Sequence, residues 1–526
     1  MSCSSKWRSA STSASALVAL GLVVLNGAAS AEGTSTSTRG ATAPSVAGPG
    51  SEAPDARTPD GGAKDFAQAM EAMLLEDFGE AARLAYLALG KTTPSAEKYE
   101  SQEFVMAEAL EKLGLYEAAA EYYFAVAEGR QNPALFPRAI AGLERLARKG
   151  LLDEQELVRS VLVEADLASV PPDVADFLHY SRGLANLRAG YRRWSERELT
   201  SIRPSGYYRE KTELVRVVTS VKDGDIEGAA HRVDLMLKRV EPTDDELKRG
   251  PFPAQDEEIK RELEVLRARL LYERGQYQEA IEAYRASGAT LDTSAGDLLL
   301  ERAWAHFGRG QDHDAMGLLY ALAAPSNVGL FLPEQYLLRG LIYQRFCHFL
   351  ASKSAIRDFR KRYAEELDAL ANGIEPTEIP GIRDAANKLP SVVPLHELLE
   401  RVKEERERLP SLEGSLEDGG LFGHLVQLYA ALESRTQLRY GRAFTLGAQL
   451  AAERLLEAQE QSDLLEYEVG VSIFKPIAQD PKDVRLRTPA EEVPSSGPLT
   501  YYAFDDEFWT DELENMRFLI QDRCVE

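Results

Sequence analysis

The sequence predicts an all-α fold built from repeated pairs of helices, and three observations support this prediction. From Phe66 onward, apolar residues recur at helical spacing in segments of roughly 12 to 16 residues, separated by short turns. The alternation of polar and apolar residues that marks β-strands is nearly absent. A short pattern also returns along the chain: a glycine, an aromatic or aliphatic residue two positions later, and an alanine three positions after that.

The charge of the chain limits the partners that it can bind. The chain has 526 residues and a formal net charge of −24, and no lysine- or arginine-rich block offsets the acidity. Such a surface repels phosphate backbones and anionic lipids, so we expect no nucleic-acid partner. A chain of this length is also too long for a single compact core.

Residues 1–31 have the pattern of a signal peptide. Two basic residues precede an apolar run over 14–24, and the small residues at 29–31 predict cleavage after Ala31. The alternative, an N-terminal membrane anchor, is disfavoured because the run is shorter than the roughly 20 residues of a spanning helix. We therefore expect an exported protein with no transmembrane span after cleavage. Residues 32–63 contain no aromatic residue, which predicts a disordered linker.

The repeated pattern occurs in clear and in weaker copies. The clear copies are GLYEAAAEYY (114–123), GDIEGAAHRV (224–233), GQYQEAIEAY (275–284) and GQDHDAMGLL (310–319). In the last of these, Asp312 replaces the ring. Residues 76–85 form a weaker copy without the glycine, and the degenerate copy over 183–199 departs from the pattern at Arg192 and Ser195.

Each position of the pattern has a physical reason. The glycine suits a turn between antiparallel helices because a positive φ costs little without a Cβ atom. The aromatic residue begins the second helix, and the alanine lies where two helices approach closely. The signature residues are Ala81, Gly114, Tyr116, Ala119, Gly224, Ala229, Gly275, Tyr277, Ala280, Gly310, Ala315 and Gly340.

This pattern resembles the tetratricopeptide repeat over residues 64–366. The first helices fit as well, since Ala107, Ala268 and Ala303 lie seven residues before a turn glycine, where the family has a small residue. The resemblance implies a superhelical solenoid with a groove lined by first-helix side chains. The candidate groove residues are Glu262, Val265, Arg269, Tyr272, Asp297, Leu300, Trp304 and Phe307. Such a groove suits a peptide or helix with apolar anchors, although Trp304 and Phe307 fit the core between repeats equally well.

The remainder of the chain is predicted to extend this solenoid. The prolines of 367–394 predict a linker. The apolar pattern of residues 395–475 predicts a long helical hairpin with a turn over 410–420. Three arginines break the leucine stripe of the second hairpin helix, which favours packing on the solenoid over a coiled coil. Residues 476–526 predict an extended linker followed by an aromatic-rich segment, which we expect to dock on a hydrophobic surface, with the chain's own solenoid as the nearest candidate.

The search for reactive groups yields one candidate covalent site. Cys347 and Cys524 are either a disulfide in an oxidising compartment or two separate thiols, and Cys347 occupies the place of a turn glycine. His396 lacks the second histidine of a helical zinc motif, because Glu400 stands there. We expect no catalytic site, no metal and no cofactor.

The sequence thus predicts a non-catalytic scaffold for protein–protein interactions in the cell envelope, placed in a bacterial periplasm by the signal peptide and composition. Its partners would be envelope proteins or peptides. The alternative is a regulator or recruiter of an envelope enzyme, or of secretion or outer-membrane machinery.

Overall fold

The computed structural model describes residues 57–129, 132–240, 254–288, 295–324, 327, 329–416, 420–474 and 516–524, and every structural statement below concerns these residues. They form 21 α-helices and no strand, which confirms the predicted all-α helical-repeat class. The predicted signal peptide, most of the predicted linker over 32–63, and the aromatic cluster over 501–509 lie outside the described residues.

The chain divides into two compact units, which we describe separately. The first unit contains the described residues up to Val215 together with Pro390–Ala443, and the second contains Arg216–Leu389 together with the described residues from Phe444 onward.

Among the described residues, nine helices precede the boundary. They are α1 (Ala63–Leu74), α2 (Phe78–Lys91), α3 (Glu97–Lys112), α4 (Tyr116–Gly129), α5 (Phe136–Arg148), α6 (Glu154–Leu157), α7 (Ser160–Val163), α8 (Pro172–Arg188) and α9 (Arg192–Thr200). Helix α10 (Tyr208–Lys222) contains the boundary itself.

The second unit continues the series. Its helices are α11 (Ile226–Val240), α12 (Ala254–Glu273), α13 (Tyr277–Ala286), α14 (Ala295–Arg309), α15 (Asp312–Ala321), α16 (Glu334–Arg345), α17 (Phe349–Arg362), α18 (Ala364–Ala371) and α19 (Pro380–Asn387). The chain then forms α20 (Val393–Leu416) in the first unit and α21 (Leu421–Phe474), which contributes to both.

Seven helix pairs share one turn geometry. The turn residue has a φ of 56 to 85°, and the N–H of the next residue donates to the carbonyl five positions earlier at 2.8–3.0 Å. This is the Schellman ending of a helix, which favours glycine. The turn residues are Glu76, Gly114, Gly190, Gly224, Gly275, Gly310 and Cys347. The second helix begins two residues later in every pair, so one structural unit recurs even where the glycine is missing.

The small residue of the second helix is buried in each pair. The alanines at this position are fully buried: Ala81, Ala119, Ala229, Ala280 and Ala315. In the pairs that turn at Gly190 and Cys347 the residue is Ser195 or Ser352, and each hydroxyl donates to the carbonyl of a first-helix glycine, Gly183 at 2.8 Å and Gly340 at 2.9 Å. Serine fits because its hydroxyl finds a partner in a space too small for a larger side chain.

Three predicted segments differ in the structure. Residues 57–62, assigned to the disordered linker, are ordered, and the Thr58 N–H donates to the Lys91 carbonyl at 3.2 Å. The predicted linker over 367–394 contains the last five residues of α18 and all of α19, and α20 begins within it at Val393. Its apolar residues explain this order, because Ile382 and Ala386 are buried in a cluster with the alanines of α21.

The predicted turn over 410–420 is helical as far as Leu416, because α20 continues through Pro410. Leu409 and Leu416 on either side are fully buried, and this burial offsets the hydrogen bond that proline removes. The stretch after α4 forms α5 followed by the single-turn helices α6 and α7.

In the first unit, α20 and the start of α21 form a hairpin that packs on the helix pairs. The hairpin residues in the shared apolar cluster are Leu398, Val402, Leu409, Leu416, Leu421, Leu425, Leu428, Tyr429 and Leu432. Buried charges add to this contact. Arg401 donates to Glu117 at 2.7 Å, Arg435 donates to Glu121, and Glu405 accepts from the Glu117 N–H at 3.1 Å.

Candidate partner-binding groove

The predicted groove residues lie on α12 and α14, the first helices of two consecutive pairs. Glu262 and Asp297 are exposed, whereas Leu300 is buried in the core. Arg269 and the aromatic residues of the set are half-buried. The surface is therefore mixed, with acidic side chains in solvent and aromatic side chains partly covered.

The basic residue of this groove is held by a neighbouring carboxylate. Arg269 donates from Nε and Nη2 to the two carboxylate oxygens of Glu301, each at 2.9 Å, and Tyr284 donates its hydroxyl to the same carboxylate at 2.9 Å. Burial opposes the charge on Arg269, but the Glu301 carboxylate raises the pKa of Arg269 above its ordinary value. Because Glu301 neutralises Arg269, the groove offers little net positive charge to a partner.

Two further carboxyl groups border the groove. Burial raises the pKa of Asp297, and the positive charge of Arg454 on α21 acts against this rise. Burial likewise raises the pKa of Glu334, whose carboxylate lies 3.5 Å from Arg454. The positive charge of Arg454 thus acts on both carboxyl groups.

The aromatic side chains form two edge-to-face pairs. Trp304 and Phe307 have ring centroids 5.8 Å apart, and Tyr272 and Tyr277 have centroids 5.4 Å apart. Arg345 lies 3.8 Å above the Phe307 ring. The Nε1 atom of Trp304 is buried and has no hydrogen-bond partner in the part of the chain that the structure describes. Trp304 and Phe307 pack on the apolar cluster of α14–α16 and remain half-exposed. They therefore combine the features of core residues between repeats with those of ligand-contact residues.

Helix α21 covers the continuation of this surface on α16. Leu465 and Val469 are buried with Leu337 and Ile356. A Cβ atom at Gly340 would lie 2.8 Å from a Leu465 methyl group, so the small signature residue permits close contact with α21. The first-helix face of α16 is therefore closed by the chain itself.

The end of the chain docks on the second helix of a pair. Cys524 is joined to Cys347 by a disulfide. The Phe518 N–H donates to the His313 carbonyl at 3.0 Å, and the Phe518 ring stacks on Tyr320 with centroids 4.4 Å apart. The described residues of this tail, 516–524, contact α15 and the turn at Cys347.

Two histidines, His306 on α14 and His313 on α15, make hydrogen bonds within the chain. His306 is buried and bonds through Nδ1 to Gln311, and burial lowers its pKa to about 4. His313 accepts from the Ile520 N–H, so it serves the docked tail. Within the described ranges, no group of three or more potential ligands could hold a metal ion. No helix there combines the length and apolar character needed to cross a membrane.

Comparison with known proteins adds little to this geometry. No family model matches the chain, and no curated protein matches it. A solved structure, the "APC/C hetero-tetramer Cut9-Hcn1", matches 78% of this chain and 90% of that one at 12% sequence identity, with a TM-score of 0.21. A likeness at so low a score carries no argument, so the function must be inferred from the repeats and the groove.

Proposed function

We propose that this chain is an exported, non-catalytic interaction scaffold that binds a protein or peptide through the groove of α12 and α14. The observation that carries the proposal is the half-exposed aromatic and acidic surface on two consecutive first helices. Helical repeats with such faces suit extended or helical ligands, because successive repeats offer regularly spaced contacts.

The groove contains the features of a ligand contact. The indole N–H of Trp304 is buried without a partner among the described residues, and a rotation of the ring would bring it to a ligand carbonyl. The rings of Trp304 and Phe307 offer apolar area, and tryptophan often dominates binding energy at interfaces. Glu262 and Asp297 favour ligands with basic or neutral side chains.

A pull-down from envelope extracts tests the proposal. The bait is the full mature chain, compared with a Trp304→Ala, Asp297→Lys variant. The matched control is Tyr467→Ala, Asp225→Lys, which truncates an aromatic side chain and reverses a charge at exposed positions outside the groove. We expect the groove variant to lose a partner that the control retains. Equal recovery by both variants would contradict the proposal.

The same experiment distinguishes the scaffold from the alternative role. That alternative is a regulator or recruiter of an envelope enzyme or of secretion or outer-membrane machinery. A stoichiometric assembly supports the scaffold, and one enzyme recovered alone supports the regulator. Export is tested independently by sequencing the N-terminus of the protein in the periplasmic fraction, where we expect the first residue to be Glu32.

A further inference from the structure

The helix pair α8–α9 differs from the other pairs on its outer surface. Four positions after the turn residue, the other six pairs have an acidic or small residue: Glu80, Ala118, Gly228, Glu279, Asp314 and Ala351. This pair has Trp194 there. The position directly after the turn glycine is Tyr191, where five of the other pairs have a polar residue. The degenerate copy is therefore unusual at both positions.

Folding does not explain these aromatic side chains. Tyr191 is 61% exposed and Trp194 is 58% exposed. The described contact of the Trp194 ring is with the guanidinium of Arg197, 5.7 Å from the ring centroid. Rings left in water contribute little to the core, and exposed apolar area on a folded chain often marks a binding surface.

The same surface is basic on an otherwise acidic protein. Between Arg188 and Arg203 the sequence has five arginines and two glutamates, against a net charge of −24 for the whole chain. Arg188 and Arg203 form ion pairs with acidic side chains. Arg193 and Arg197 are exposed, and neither forms an ion pair with any described residue. We name Tyr191, Arg192, Arg193, Trp194 and Arg197 the basic–aromatic patch.

We propose that the basic–aromatic patch binds an acidic segment of a partner protein that also carries an apolar side chain. Tryptophan, tyrosine and arginine are the residues that most often dominate binding energy at interfaces, and all three are present. The local positive charge complements an acidic ligand.

The charge of the whole chain favours a short segment over a large polyanion. Charges in water are screened beyond about 8 Å at physiological salt. A short acidic segment therefore responds mainly to the patch, whereas a nucleic acid or an anionic membrane also meets the acidic surface around it. The patch lies in the first unit and the groove in the second, so the chain would hold two partners at separate sites.

Selection from a display library of random short peptides tests this proposal. The target is the full mature chain, and the selected peptides are measured by fluorescence anisotropy. We expect enrichment in aspartate and glutamate, and a loss of affinity of roughly tenfold or more in Arg193→Glu, Arg197→Glu and in Trp194→Ala. The matched control is Arg357→Glu, Lys361→Glu, which makes the same charge change at exposed positions of α17 and should retain binding.

Several outcomes would overturn the proposal. One is a selection without acidic enrichment, and another is an equal loss of affinity in the patch and control variants. Binding of polyphosphate or anionic vesicles without acidic peptides, or self-association abolished by the patch variant, would assign another occupant. Circular dichroism checks that the variants are folded. A Trp304→Ala variant should bind the same peptides unchanged, so the proposal stands or fails separately from the groove.

Discussion

The two units fasten their last elements by different means. In the first unit, the hairpin of α20 and α21 is held by apolar packing, by the ion pair of Arg435 with Glu121 and by the hydrogen bond from Arg401 to Glu117, without a covalent bond. In the second unit, the tail over 516–524 has little buried apolar area, with Ile520 as its one buried hydrophobic residue among those described, and a disulfide closes it. A segment with a large apolar face needs no cross-link, whereas a short segment with few apolar contacts does.

The difference predicts different sensitivities. Burial and the nearby Glu156 carboxylate raise the pKa of Glu117 to about 8, although Arg401 opposes the rise. Burial and the Asp153 charge raise the pKa of Glu156 to about 7. The hairpin should therefore respond to pH, and the tail should respond to reductant.

The largest expected effect comes from opening the disulfide. The cross-link closes a loop of 177 residues, and its removal by Cys347→Ser with Cys524→Ser should lower the free energy of unfolding by about 2–5 kcal/mol. Urea unfolding measures the loss, and hydrogen exchange should locate it in 516–524 and α15. Unchanged exchange in the tail would contradict a covalently fastened segment.

The next effect concerns pH and the hairpin. A carboxyl group whose pKa is raised by folding stabilises the folded state at low pH, and this contribution is lost as pH rises through the folded pKa. The free energy of unfolding should therefore fall between pH 5 and about 8, with faster exchange in α20. Glu117→Gln should flatten this dependence. If the free energy of unfolding of Glu117→Gln depends on pH as steeply as that of the natural chain, groups other than Glu117 cause the dependence.

A smaller effect is expected where the tail crosses Gly317. A Cβ atom there would lie 1.8 Å from the Met516 carbonyl oxygen, which is backbone and cannot rotate away. Gly317→Ala should cost about 1–3 kcal/mol and increase exchange in the tail while the disulfide remains intact. Gly423→Ala is the control, since its Cβ atom would meet nothing within 4 Å. If the tail of Gly317→Ala is as protected from hydrogen exchange as that of the natural chain, the close approach of Gly317 to the Met516 carbonyl is not maintained.

The smallest effect is a gain in stability at the first repeat turn. Glu76 is exposed and has a φ of 59°, in the left-handed region that glycine adopts most easily. Glu76→Gly should stabilise the first unit by about 1 kcal/mol. Glu71→Gly, in the interior of α1, should destabilise it by a similar amount. A loss of stability in both variants would show that the turn gains nothing from glycine.

The repeat units could be predicted from the sequence because their signals are local. A glycine, a ring and a small residue within six positions specify a turn and a close contact, and Cys347 could be assigned to a turn by its spacing alone. The helices over 367–394 could not be predicted in this way. Their prolines suggest a linker, and the partner that orders them, α21, lies far away in the sequence.

The candidate sites show the same limit. The sequence identified Arg269 as a groove residue, but its neutralising partner Glu301 is 32 residues away on the next first helix. The basic–aromatic patch left a signal, since Arg192 and Ser195 depart from the repeat pattern. The sequence alone showed only a weak copy of the repeat there. The exposure of Tyr191 and Trp194 in the structure indicates that the departure forms a binding surface.

Photo-crosslinking in the native envelope tests the central claim most directly. A photoreactive residue replaces Trp304 in the groove or, as a matched control, Leu350, which is exposed on α17. The account predicts one discrete adduct from position 304, lost when Asp297→Lys is added, and none from position 350. No adduct from position 304, or the same adducts from both positions, would contradict a scaffold that binds through this groove.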